Sequence, residues 1–205
     1  MWKNFLRGLV TTTIFLYGSA HADQTILVLG DSLSAGYGLA QERGWVSLLQ
    51  QRLTHEKKPY HVINASISVE TTSGGLYRID ALLANNHPEI MILELGANDG
   101  LRGLAVDATR NNLDTMIRRA QKNGAKVLLL GMRIPPNYGP TYTEQFRQQF
   151  EALAKKNRLP YVPFLLAPIV GQRDYFQADG LHPTATAQSL LLDVVWAELH
   201  PLLRR

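Results

Sequence analysis

The stretch Thr25-Ile26-Leu27-Val28-Leu29-Gly30-Asp31-Ser32-Leu33-Ser34 runs from an unbroken aliphatic segment straight into a polar turn led by glycine. A strand with one wet face alternates apolar and polar residues. Four consecutive aliphatic residues instead predict a strand covered on both faces, as in a parallel sheet sandwiched between helices. In such sheets ligands bind beyond the carboxyl ends of the strands. Ser32 therefore stands where an α/β protein can expose a reactive hydroxyl, although Asp31 or Ser32 could equally cap a short helical turn.

The rest of the chain repeats this grammar. Candidate strands are Thr25–Leu29, His61–Asn64, Ile90–Leu95, Lys126–Leu130 and Tyr161–Pro163. Between them lie helical patterns at Trp45–Leu53, Gly75–Asn85, Ala108–Asn123 and Glu144–Lys156, with a last one over Ala185–Leu199. Trp45, Leu48, Leu49 and Leu53 have the spacing of one buried helical face. Strand and helix in alternation imply right-handed crossovers and a three-layer α/β/α sandwich on a parallel sheet of about five strands. The loops at its carboxyl end would carry Asp31-Ser32, Ser66–Thr72, Gly96–Gly103 and Arg133–Tyr142, the most polar and glycine-rich connections in the sequence.

Composition narrows the chemistry. The 205 residues suit one domain, and an apolar share of 45% is enough for a self-supporting core. With no cysteine, disulfides, thiolate metal sites and a cysteine nucleophile are excluded. The net charge of +4 is scattered, with no basic stripe, which argues against nucleic-acid binding. Lys3 and Arg7, an uncharged stretch from Gly8 to Gly18, and Ala20-His21-Ala22 form the pattern of a secretory signal. The expectation is a leader at 1–22 cleaved after Ala22, a domain at 23–205, and a periplasmic or secreted location. The apolar stretch is too short for a membrane span, which needs about 20 residues.

Asp179-Gly180-Leu181-His182-Pro183 supplies what Ser32 lacks. A hydroxyl is not nucleophilic at neutral pH until a base takes its proton. Only His182 among the histidines has a carboxylate three positions before it, at a spacing that lets the two meet on one helical face. Asp179 could hold the Nδ1 proton and leave Nε2 toward Ser32; a plain polar turn would leave His182 without a task. Asn98, in Gly96-Ala97-Asn98-Asp99-Gly100, can donate to an oxyanion without bringing a competing base, and also fits a turn. Single-histidine carboxylate clusters make a poor metal site, so no metal and no cofactor is expected.

The blocks Gly30–Ser34, Gly96–Asp99 and Asp179–Pro183 resemble, in order and spacing, those of the GDSL or SGNH hydrolases. Asn64–Ser68, Gly100–Gly103 and Arg133–Gly139 look closer to the branch with thioesterase, lysophospholipase and arylesterase activities. The resemblance runs from about Thr25 to the C-terminal helix. It implies a flavodoxin-like sheet, with Ser32 as nucleophile, His182 as base and Asp179 as its orienting acid. It also implies an oxyanion hole from the Ser32 N–H, the Asn98 side chain and a third N–H that maps onto Val69, where the family usually has glycine. A β-branched residue resists positive φ. Either that donor needs only ordinary dihedrals, or it is misaimed; a working donor whose methyls narrow the acyl entrance is the hypothesis.

The implied substrates are small acyl esters, thioesters or lysophospholipids, handled by a monomer. Ile134 and Tyr138 are candidate substrate contacts. Tyr138, Tyr142, Tyr175 and Phe176 line an acyl groove or serve as rim packing. A carbohydrate O-acetyl esterase and a non-catalytic binding protein on the same fold are the alternatives.

Overall fold

The computed structural model describes residues 24–203, so the expected leader at 1–22 lies outside the described residues. Five strands, β1 (Gln24–Gly30), β2 (Tyr60–Asn64), β3 (Ile90–Glu94), β4 (Lys126–Leu130) and β5 (Tyr161–Val162), form one sheet. Their order is β2-β1-β3-β4-β5, and every pair is parallel. The expected α/β/α sandwich with a five-stranded parallel sheet is the architecture observed. Ile26 to Leu29 and Ile90 to Leu93 are wholly buried, which is why these strands read as continuous aliphatic runs.

The helices are α1 (Ser32–Ala35), α2 (Trp45–His55), α3 (Thr72–Asn86), α4 (Ala97–Leu101), α5 (Val106–Lys122), α6 (Pro140–Asn157) and α7 (Gln188–Leu199). Helix α2 packs on α7, while α3 packs on α5 and α5 on α6, so the two groups cover the sheet from opposite sides. The buried stripe of α2 is Trp45, Val46, Leu49 and Leu53, with Leu48 only partly covered. Among the described residues no helix is long and apolar enough to cross a membrane.

The chain leaves β1 toward β2 at one edge, then returns to place β3 on the other side of β1. The crevice where strand order reverses thus opens between β1 and β3. Their register pairs Gly30 with Glu94, so the loops that carry Ser32 and Asn98 leave the sheet side by side.

Candidate active site

The turn after β1 caps a short helix and also presents Ser32 to an imidazole. Asp31 caps α1, its Oδ1 accepting from Leu33 N at 3.0 Å, and Ser32 is the first residue of that short helix. Ser32 Oγ lies 2.9 Å from His182 Nε2, and His182 Nδ1 lies 2.6 Å from Asp179 Oδ2. Asp179 Oδ1 also accepts from the backbone N–H of His182 at 3.0 Å and of Leu181 at 2.9 Å. These backbone bonds, with the side-chain bond to His182, hold the Asp179 carboxyl down at about 2. An ionised Asp179 can only accept, so Nδ1 carries the ring proton and Nε2 accepts from the Ser32 hydroxyl.

Asp179 and His182 do not sit on a helix, as their spacing had suggested. They occupy a tight hairpin closed by the Phe176–Pro183 bridge, in which Gln177 N donates to His182 O at 2.8 Å. Gly180 makes the bend at φ +72°, a conformation that glycine adopts without strain. Pro183 belongs to this bridge, and α7 begins only at Gln188.

Two neighbours of His182 carry no sequence signal. The Tyr37 ring stacks on the imidazole with centroids 4.4 Å apart. Gln177 Nε2 donates to the carbonyls of Tyr37 at 2.8 Å and Pro183 at 3.1 Å, tying the Tyr37 loop to the hairpin.

Asn98 lies on α4 beside Ser32. Its Nδ2 donates to Asp31 Oδ2 at 3.1 Å and to Glu70 O at 3.0 Å. Beneath it, Glu94 is completely buried, and its Oε2 accepts from Ser34 Oγ at 2.6 Å and Asp31 N at 3.2 Å. Glu94 Oε1 finds no partner among the described residues. Burial, together with the charge of Asp31, pushes the Glu94 carboxyl well above its ordinary range, and burial raises Asp31 to about 6. Burial of this kind favours the neutral form of the Glu94 carboxyl under the serine turn.

Val69 settles the question its sequence raised about dihedrals. Its φ is +68°, the left-handed conformation that glycine takes freely, and its side chain is 60% exposed. The ordinary-dihedral alternative is thus excluded, and the β-branched residue bears a cost of about 1–2 kcal/mol. Strain of this kind gathers at functional sites. Neither the Val69 nor the Ser32 N–H takes a backbone acceptor among the described residues.

A cavity of about 510 Å³ opens over Ser32, His182, Asn98 and Val69. Its lining is largely apolar, with Met132, Ile134, Phe164, Leu166, Val170 and Phe176 among the residues that form it. Ile134 and Phe176 both line it. Tyr138 does not line the cavity; its hydroxyl donates to Leu101 O at 2.7 Å, bracing a residue that does. Tyr142 is likewise turned away, donating to Leu104 O at 2.6 Å. Among the described residues, no group of three or more His, Asp or Glu side chains comes together as a metal site.

A chain that aligns a hydroxyl, an imidazole and an ionised carboxylate over an apolar cavity can transfer acyl groups. A family model described as the GDSL-like Lipase/Acylhydrolase family matches residues 28–190. The chain belongs to that family. It is 50% identical over 182 residues to Esterase TesA of Pseudomonas aeruginosa, covering 89% of this chain and 90% of that one. It is 37% identical over 189 residues to Thioesterase 1/protease 1/lysophospholipase L1 of Escherichia coli strain K12, covering 92% and 89%. Among solved structures, the psychrotrophic esterase EstA from a Pseudoalteromonas species, inhibited by monoethylphosphonate, superposes with a TM-score of 0.83 at 43% identity. That match covers 87% of this chain and 98% of the esterase. Like these GDSL-family relatives, the chain is an ester hydrolase, and its substrates are small-molecule esters.

Proposed function

We infer that this GDSL-family protein cleaves acyl esters and thioesters, lysophospholipids among them, through an acyl-enzyme on Ser32. The observation that carries the reading is the continuous line from Ser32 Oγ through His182 to Asp179, at 2.9 and 2.6 Å, beside an apolar cavity.

In the first half-reaction His182 Nε2 takes the Ser32 proton as Oγ bonds to the acyl carbon. The oxyanion is met by the N–H groups of Ser32 and Val69 and by the Asn98 amide, which turns from Asp31 or shares its hydrogen. His182 then returns the proton to the leaving thiol or alcohol. Water repeats the sequence on the acyl-serine, and the free acid departs. Ile134, with the other apolar walls, takes the acyl chain, whereas Tyr138 acts only from behind. Few polar groups face the cavity, which favours acyl chains over a carbohydrate O-acetyl substrate. No cofactor enters these steps. The enzyme acts as a monomer in the periplasm or outside the cell, after removal of residues 1–22.

An organophosphonate reacts with an activated serine and with no ordinary one. The mature protein should take up one phosphonyl group and lose its esterase activity, and Ser32→Ala should do neither. Loss of the nucleophile should lower kcat by about 10⁶. Labelling that persists in Ser32→Ala, or activity above about one per cent, refutes the assignment.

A further inference from the structure

An exposed valine in the left-handed region leaves it unless its surroundings hold it there. The backbone around Val69 is gripped from α3. Arg78 Nε donates to Glu70 Oε1 at 3.0 Å, and Arg78 Nη2 bonds the other carboxylate oxygen. The same Nη2 donates to Ala65 O at 2.9 Å. One guanidinium thus joins the first residue after β2 to the residue just past Val69. A two-pronged fork fixes orientation as well as distance. The Glu70 side chain is 7% exposed and that of Arg78 24%, so solvent screens this pair far less than a surface pair. The main chain of Glu70 is held as well, its N–H donating to Ile67 O at 3.2 Å and its carbonyl accepting the Asn98 amide at 3.0 Å.

We propose that Arg78 and Glu70 are positioning residues that hold Val69 at positive φ and so aim its N–H into the oxyanion hole. This rests on the reading of the Val69 N–H as an oxyanion donor. Neither side chain touches a reacting atom; both act through the backbone of residue 69. The clamp explains how this chain keeps a valine where glycine would need no restraint. Glycine reaches the left-handed region unaided, so its need for the clamp is smaller.

The test is a double-mutant cycle on a water-soluble phenyl ester, with Arg78→Lys and Glu70→Gln made in the native and Val69→Gly backgrounds. Arg78→Lys keeps the charge and removes the fork; Glu70→Gln keeps the shape and serves if the first variant folds poorly. Complete loss of an oxyanion donor costs about 10²–10³ in kcat, so a misaimed one should cost about 10–10² with KM nearly unchanged. In the Val69→Gly background the same substitutions should cost less than about threefold. Equal losses in both backgrounds overturn the clamp, because a purely structural pair has no reason to sense residue 69.

A spectroscopic arm separates this failure from that of the parent reading. The Val69 amide proton should move downfield when Ser32 is phosphonylated, and return toward its unlabelled position in labelled Arg78→Lys. If it never moves in the native enzyme, Val69 is not a donor and the proposal falls with that reading. If it moves equally in both proteins, the donor stands and the clamp is refuted.

Discussion

The carboxyl pair beneath Ser32 makes stability fall with rising pH in mildly acidic solution, the reverse of ordinary acid denaturation. Asp31 is 1% exposed and Glu94 not at all, and both carboxyls are raised chiefly by burial. A group whose folded pKa exceeds its unfolded one holds more protons when folded than when unfolded between the two values. Stability then drops as pH rises through that window. For Asp31 the window runs from 3.8 to about 6, and for Glu94 from 4.5 upward. The Asp31 shift alone amounts to about 3 kcal/mol. Near pH 5, between its two values, Asp31 alone contributes a slope of about 1 kcal/mol per pH unit, and the raised Glu94 adds to it in the same direction.

The opposing carboxylates are largely spent by then. Asp179 and Glu144 are both lowered to about 2, so their contribution grows mainly below the unfolded values of 3.8 and 4.5. Urea denaturation in steps between about pH 4.5 and 6.5 reads the slope directly. Glu94→Gln is isosteric with the neutral acid and should lower the slope toward the Asp31 part of about 1 kcal/mol per unit. Stability that stays level or rises across that interval would refute the assignment of two raised carboxyls, and an unchanged slope in Glu94→Gln would refute the share given to Glu94.

Asp179→Asn keeps a carbonyl for the two backbone N–H groups but presents an amide to His182 Nδ1, favouring the wrong tautomer. Because the Asp179 side chain is 38% exposed, kcat should fall by more than tenfold yet short of the roughly 10⁴ of a buried acid; steady-state kinetics at fixed pH measure this. Gly75 lets α3 lie close against the sheet, since a Cβ there would come within 2.4 Å of Leu95 Cδ1. Gly75→Ala should therefore destabilise by about 1–3 kcal/mol in urea titration while leaving KM unchanged.

Short-range pattern carried a great deal. Ile26 to Leu29 and Ile90 to Leu93 announce strands buried on both faces because each residue must be apolar there, and the parallel sheet follows. Ser32, Asn98, Asp179 and His182 were legible because polar residues at strand ends and in glycine-led turns are unusual enough to stand out. Their meeting across the chain is the part that distance in sequence hides.

Other features had no local signature. Glu94 reads as a lone acid inside the aliphatic stretch Ile90–Leu95, and only its depth under Ser34 and Asp31 reveals a carboxyl pushed up by burial. Gln177 and Tyr37 are ordinary in composition, yet one ties the loop that the other uses to cover His182. The lining residues from Phe164 to Leu181 follow the shortest strand and show no periodicity. Helix spacing suggested how Asp179 meets His182, but a hairpin brings them together instead, because cross-strand pairing at Phe176 and Pro183 overrides local periodicity.

By itself the sequence determined the layers, the sheet and the residues that meet at the candidate site, since burial and residue chemistry are written one position at a time. Tertiary structure alone decided the aim and environment of those groups: the bend at Gly180, the φ of Val69 and the burial that raises Glu94. Those depend on atoms contributed from separate parts of the chain, and their energies exist only once β1 and β3 lie side by side.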